Sequence, residues 1–267
     1  MSSWSIFLSL LPFSLLVFSQ TPDPNATHTK EWTERHAHYL SEPKIKETDS
    51  WLEITANDPR PLESVLDALA HQHGWHINYE DPRYGKVDIL DDTAPSWLKE
   101  HPNGPRAYMV AGSAFYAKIP VDGYFPDDPM QVLPALIEAY NRSGNPGTFV
   151  LRTMNRESFD VVATAAGDGP ETPLLDTVMD FDATADDSAA VTLNKFCEEL
   201  SRCSGETVVF GSPPSANRLH QTHTQQHSEN QPAREILRRL HNQVGSIFCW
   251  RLFYDPDSNK FWLRMSW

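Results

Sequence analysis

Positive charge is in short supply. The 267 residues carry 22 Lys and Arg against 36 Asp and Glu, a formal net charge of −14. Neutralising phosphates needs a basic face, which excludes nucleic acid as the main partner. The same balance weakens attraction to anionic lipid surfaces. Cysteine is scarce: only Cys197, Cys203 and Cys249 occur, so at most one pair can close in an oxidising compartment. Cys197 and Cys203 share an expected helix at a spacing no disulfide spans, which leaves buried free thiols or a bridge to Cys249. Glycine is outnumbered by proline, 12 to 21, so many connections are stiff. Beyond the N-terminus no apolar run is long enough to cross a bilayer. Missing too are a Gly-x-Ser-x-Gly elbow, a phosphate loop, a Cys-x-x-Cys pair and His-Glu-x-x-His. The expectation is a protein that is not an enzyme, takes no cofactor and has no stable membrane span in its mature chain.

Among what is present, 40% hydrophobic and 22% charged residues describe a globular chain. Residues 1–20 carry an apolar run from Trp4 to Phe18, broken by Ser9, Pro12 and Ser14. That length suits a secretory signal peptide with Ser19 before the cleavage point, although no Lys or Arg precedes the run. The mature chain is therefore expected to be periplasmic or extracellular, or anchored where the segment is retained. Residues 21–49 are polar and read as a flexible tether.

From Trp51 onward two stretches echo each other. Residues 61–82 and 232–256 both open on proline, then place aliphatics at Val65, Leu66 and Leu69, matched by Ile236, Leu237 and Leu240. Each then reaches a glycine, Gly74 or Gly245, and runs into a tyrosine-containing stretch ending in Asp-Pro. Proline suits the first helical turn, the aliphatics line one helix face, and glycine caps the C-terminus, so each unit predicts helix, cap and strand. A helix this short must pack its stripe on a sheet. A second pair of helices is predicted after Asp128-Pro129 and over 189–202, where Leu193, Phe196, Cys197 and Leu200 face inward. Strands are predicted near 52–54, 76–79, 114–119, 149–154, 158–163, 178–182, 207–210, 219–226, 248–254 and 261–265. The fold class is thus α+β: two similar small modules, 50–165 and 174–267, each β-α-β followed by β-α-β-β with helices packed on a sheet, joined by a linker over 166–173. Residues 82–110 interrupt the first module as a long insertion.

This order is similar to the short N-terminal domain of secretins and TonB-dependent receptors, the STN domain. The wording Leu52-Glu-Ile-Thr-Ala, Pro61-Leu62, Val65-Leu66-Asp-Ala-Leu69-Ala70 and Gly74-Trp-His-Ile77-Asn-Tyr79 carries the likeness in one module, and 232–265 resembles the family's second half. The resemblance spans roughly 51–165 and 174–267. The insertion has no family counterpart, and nothing here resembles a secretin pore, a TonB-dependent barrel or its plug. The resemblance implies contact with an envelope protein partner and transfers no catalytic residue.

Two groups of side chains stand out. Aromatic residues crowd the C-terminus; one hairpin face must bury about half of them, and Trp250, Trp262 and Trp267 are read as a partner surface or strand-addition edge, the alternative being core or inter-domain packing. His220, His223 and His227 would share a face on a helix and could hold zinc through imidazole, whereas on a strand the triad dissolves. His71, His73 and His76 cluster at the Gly74 cap, where they complement the helix dipole. The leading expectation is a non-enzymatic exported protein-interaction module of the cell envelope; the alternative is an extracytoplasmic metal- or small-ligand-binding protein using the histidines and the insertion.

Overall fold

A computed structural model describes residues 33–34, 36–39, 42–122, 128–153, 158–167, 169–211, 217–245 and 249–266. The expected signal segment 1–20 and Trp267 lie outside these residues.

The first half contains β1 (Lys44–Glu47), β2 (Trp51–Asn57), α1 (Pro61–His73), β3 (His76–Glu80), β4 (Ile89–Asp91), α2 (Pro95–Glu100), β5 (Tyr108–Val110), β6 (Ala114–Pro120), α3 (Pro129–Asn141), β7 (Thr148–Thr153), β8 (Ser158–Ala166) and β9 (Gly169–Pro170). The second contains β10 (Val178–Ala183), α4 (Ala189–Ser204), β11 (Val208–Gly211), α5 (Asn217–Gln221), β12 (Gln226–Pro232), α6 (Ala233–Val244), β13 (Cys249–Asp255) and β14 (Lys260–Ser266). The fold is mixed α+β, with helices packed against sheets.

Local chemistry explains the helix ends. Pro61 opens α1, and Gly74 closes it at φ 69°, a left-handed conformation that favours glycine. Asp128 caps α3 by accepting from the Met130 N–H, and Ser188 caps α4 by accepting from Val191. The insertion carries the short α2, β4 and β5, the expected linker carries β9, and two further segments differ from expectation. Residues 219–226, expected as a strand, form the end of α5 and an irregular stretch, and the strand starts at Gln226. The inward positions of β12 are polar, Gln226 and Ser228, bonded to each other at 2.6 Å, so no apolar alternation marks it. Lys44–Glu47, expected in the tether, pairs with β2 as an edge strand.

A seven-stranded sheet runs β11-β14-β13-β3-β8-β7, with β9 paired to the end of β8. The halves thus share one sheet, joined where β13 runs parallel to β3 and Arg251 stands opposite Tyr79. Each half also has a small sheet, β1-β2-β6 or β10-β12, and the insertion adds the two-stranded β4-β5. The pairings correspond: β2–β6 and β10–β12 are antiparallel, β3–β8 and β11–β14 parallel, β7–β8 and β13–β14 antiparallel.

Two apolar cores flank the shared sheet. One gathers α1, α3, the β2–β6 face and Ile77, Tyr79, Phe149 and Phe159. The other gathers α4, α6, Trp250, Leu252 and Tyr254, and takes in Tyr84 and Val110 from the insertion. Side chains alternate along a strand. On β3, Ile77 and Tyr79 enter the first core while Glu80 reaches Arg234 of α6, so the cores lie on opposite faces of the sheet. Among the described residues no helix is long and apolar enough to cross a membrane.

Candidate binding groove

On the α1 face of the shared sheet, the junction of the halves opens into a groove of about 650 Å³. One wall is the start of α1, with Arg60 and Glu63; another is β5 of the insertion, with Tyr108; the third is β13 and β14, with Phe253, Trp262 and Arg264. The insertion is held in place rather than loose. A Cβ at Gly112 would lie 2.2 Å from the Pro59 carbonyl oxygen, a closeness only glycine permits. The Tyr108 N–H donates to Asp257 in the β13–β14 turn. Arg83 pairs with Glu206 at 2.6 Å.

Asp81, 2% exposed, fixes the groove's inner end. Its carboxylate accepts from Tyr79 Oη at 2.7 Å, Tyr84 Oη at 2.9 Å, Arg60 Nε at 2.8 Å and the Tyr254 N–H at 3.0 Å. Four donors saturate a carboxylate. Burial opposes the charge on Arg60, but Asp81 outweighs it and the pKa rises. Arg60 also donates to the Tyr254 carbonyl at 2.5 Å and lies 5.5 Å from the centre of the Phe253 ring. Arg264 lies 5.6 Å from the same ring and forms no ion pair with a described residue. Burial pushes the Glu63 carboxyl up to about 7; Arg251 pulls it down while Asp67 and Asp81 push it further up. The groove therefore presents a guanidinium with no ionic partner among the described residues, aromatic rings, and the Glu63 carboxyl, raised to about 7 and paired at its back with Arg251 at 3.4 Å.

Beneath the sheet, on the α6 face, Arg234 is 4% exposed. It meets Glu80, Asp160 at 3.5 Å and Asp176 at 3.2 Å, and stacks 5.6 Å from the Trp250 ring centre. Leu175 N–H donates to Glu80 and Asn78 Nδ2 donates to Asp160. Burial raises the pKa values of Glu80 and Asp160, with Arg234 opposing in both and the Asn78 bond adding to it at Asp160. Arg234, Glu80 and Asp160 are sealed by their neighbours and only Asp176 reaches solvent, so this cluster braces the halves.

Of the aromatic trio, Trp262 lines the groove. Trp250 is not a surface residue: it is 2% exposed, packed in the second core beneath Arg234. Its strand parity is the reason, since Phe253, not Trp250, shares a face with Trp262 across the hairpin. The histidines are not gathered. His220 lies on α5, His223 forms an isolated bridge with Ser188, and His227 on β12 pairs with Asp182 at 2.5 Å. The bond to Asp182 raises the His227 pKa. His73 pairs with Glu47 and stacks on Trp75, while His71 and His76 border a separate cavity of about 430 Å³ with Cys249 and Arg251. Among the described residues no group of three or more His, Cys, Asp or Glu is placed to hold a metal ion. All three cysteines are free thiols.

The sequence reading missed Arg60, Glu63, Tyr108 and Arg264. Arg60 directly precedes the helix-opening Pro61, and Arg264 alternates with the core residues Leu263 and Met265, but neither position marks a groove by itself. No family model, curated protein or solved structure matches this chain.

Proposed function

We propose that the chain is a non-enzymatic, exported interaction module of the cell envelope, and that the junction groove receives a segment of a protein partner. The carrying observation is the lining: Trp262, Tyr108, Phe253 and an unpaired Arg264 in one concave site built from both halves and the insertion. Tryptophan, tyrosine and arginine concentrate binding energy at protein interfaces, the aromatics by burying large area at low entropic cost and arginine by its fork of hydrogen-bond donors. Export is supported by the apolar run at the N-terminus. The likeness of each half to the STN domain supports an envelope role, and the corresponding pairings of the halves support an origin by duplication.

The test is co-purification from native envelope with the chain and with Trp262→Ala and Arg264→Ala. The expected outcome is a discrete partner held by the native chain and lost, tenfold or more weakened, with either substitution. Identical capture by all three proteins would remove the groove from the reading. Retention of a small molecule by the native chain alone would assign the groove to a ligand instead.

A further inference from the structure

The halves meet through unlike edges. β13 pairs antiparallel with β14, as β7 does with β8, and β3 pairs parallel with β8, as β11 does with β14. The internal junction therefore joins a β7-type edge to a β11-type edge, in parallel. The two edges left at the ends of the shared sheet are β7 and β11 themselves. β3 and β8 run with β13, whereas β14 and β11 run against it, and the two cores lie on opposite faces. Passing from one half to the other is thus a half-turn about the line across the strands plus a step along it. A second such step restores both strand direction and face.

We infer that β7 of one copy of this chain pairs in parallel with β11 of another, as β13 pairs with β3 inside the chain, so that copies join end to end through a continuous sheet. The inference is independent of the groove.

Residue correspondences support it. Counted from the glycines that follow the helices, Val150 and Leu151 stand where Arg251 and Leu252 stand, and Phe210 and Val191 stand where Tyr79 and Arg60 stand. At the junction the Trp250 N–H is held by Asn78 at 3.0 Å and the Asp81 N–H donates to the Leu252 carbonyl at 2.9 Å. On the open β7 edge, Asn141 holds the N–H and carbonyl of Phe149. On the open β11 edge, Ser201 holds those of Val208. The next outward positions, Leu151 and Phe210, have no backbone partner at the edge among the described residues, and unpaired edge groups are a template for another strand. Where the junction buries Arg251 and half-buries Arg60, the β7 edge exposes Val150 at 37% and α4 beside the β11 edge exposes Val191 at 43%. The contact between copies would therefore be apolar, lacking the ionic anchors of the internal one.

Sedimentation velocity of the full chain across a wide concentration range tests this. Unlike edges that do not close generate open chains, so the weight-average mass should climb past that of a dimer. Val150→Asp and Val191→Asp each disable one edge, and each alone should stay monomeric. Their equimolar mixture should give a one-to-one dimer and nothing longer, because one intact edge of each kind remains. Val150→Arg should tighten association several-fold, since Glu198 of the next copy corresponds to Asp67, the partner of Arg251 at 3.3 Å. Both valines are exposed, and unchanged thermal unfolding would show that the variants fold. A native chain that stays monomeric throughout, a mass that stops at a two-fold dimer, or association that survives both Asp substitutions would overturn the inference. Survival is what the apolar Trp4–Phe18 run would produce.

Discussion

The junction of the halves has two unlike faces. On the α6 side, Arg234, Glu80 and Asp160 are buried and matched to one another. On the α1 side, a strand or two away, Arg264 has no ionic partner among the described residues and Glu63 titrates near neutrality beside open aromatic rings. Both faces are rich in charge, so charge alone does not mark a site. A buried arginine enclosed by carboxylates and an indole has no capacity left for a partner, whereas groups that keep one side in solvent do. That is why binding is assigned to the groove and bracing to the cluster beneath it.

The largest effect should come from the bracing side. Arg234→Met leaves Glu80 and Asp160 buried without their cation, and breaking a buried pair in this way costs about 3–5 kcal/mol. Urea unfolding at pH 7 measures it. The deficit should shrink on acidification, because both carboxyls have raised pKa values and, once protonated, need no cation. A cost below about 1 kcal/mol would mean that the cluster does not brace the halves, and the contrast between the faces would fail.

The groove side should give a smaller, pH-shaped effect. Glu63 binds its proton more tightly folded, at about 7, than unfolded, at 4.5. Below the unfolded value both states are protonated and the group contributes nothing to the slope. As pH rises through 4.5 to 7, the unfolded chain loses the proton first, so stability falls across that window and levels off above it. The full drop is about 3 kcal/mol. Glu63→Gln should make the pH profile of the unfolding midpoint shallower, leaving only the slope of the same sign from Glu80 and Asp160, whose pKa values are also raised. A profile unchanged in the variant would assign the titration elsewhere.

The four longer helices were legible in the sequence from the Pro61 and Asp128-Pro129 starts, the Gly74 cap and the aliphatic stripes, whereas the short α2 inside the insertion and α5, part of it expected as strand, were not. β12 was not, because its inward positions are glutamine and serine, which satisfy each other without apolar alternation. Nor was the shared sheet. The β3–β13 pairing is held by side chains from distant segments, such as Arg251 donating to the Ile77 carbonyl and Asp81 accepting from Tyr254, and no local periodicity encodes such a match. The groove was half legible. Aromatic crowding pointed to Trp262, but composition without strand parity put Trp250 beside it on the surface.

The two tryptophans therefore supply the finest test of the contrast. Trp250 fills the second core, whereas Trp262 is half-buried on the groove wall and stands opposite Phe253 across the hairpin. Trp262→Ala should lower stability by about 1 kcal/mol, the scale of one cross-strand aromatic pair, and leave the pH slope from Glu63 in place. Chemical denaturation at pH 6 and 8 reads both quantities. A loss of about 3 kcal/mol or more, the scale of a buried aromatic truncation, would show Trp262 to be a structural residue like Trp250. Any lost partner binding in that variant would then report unfolding rather than contact, and the groove would lose its claim to be the working face.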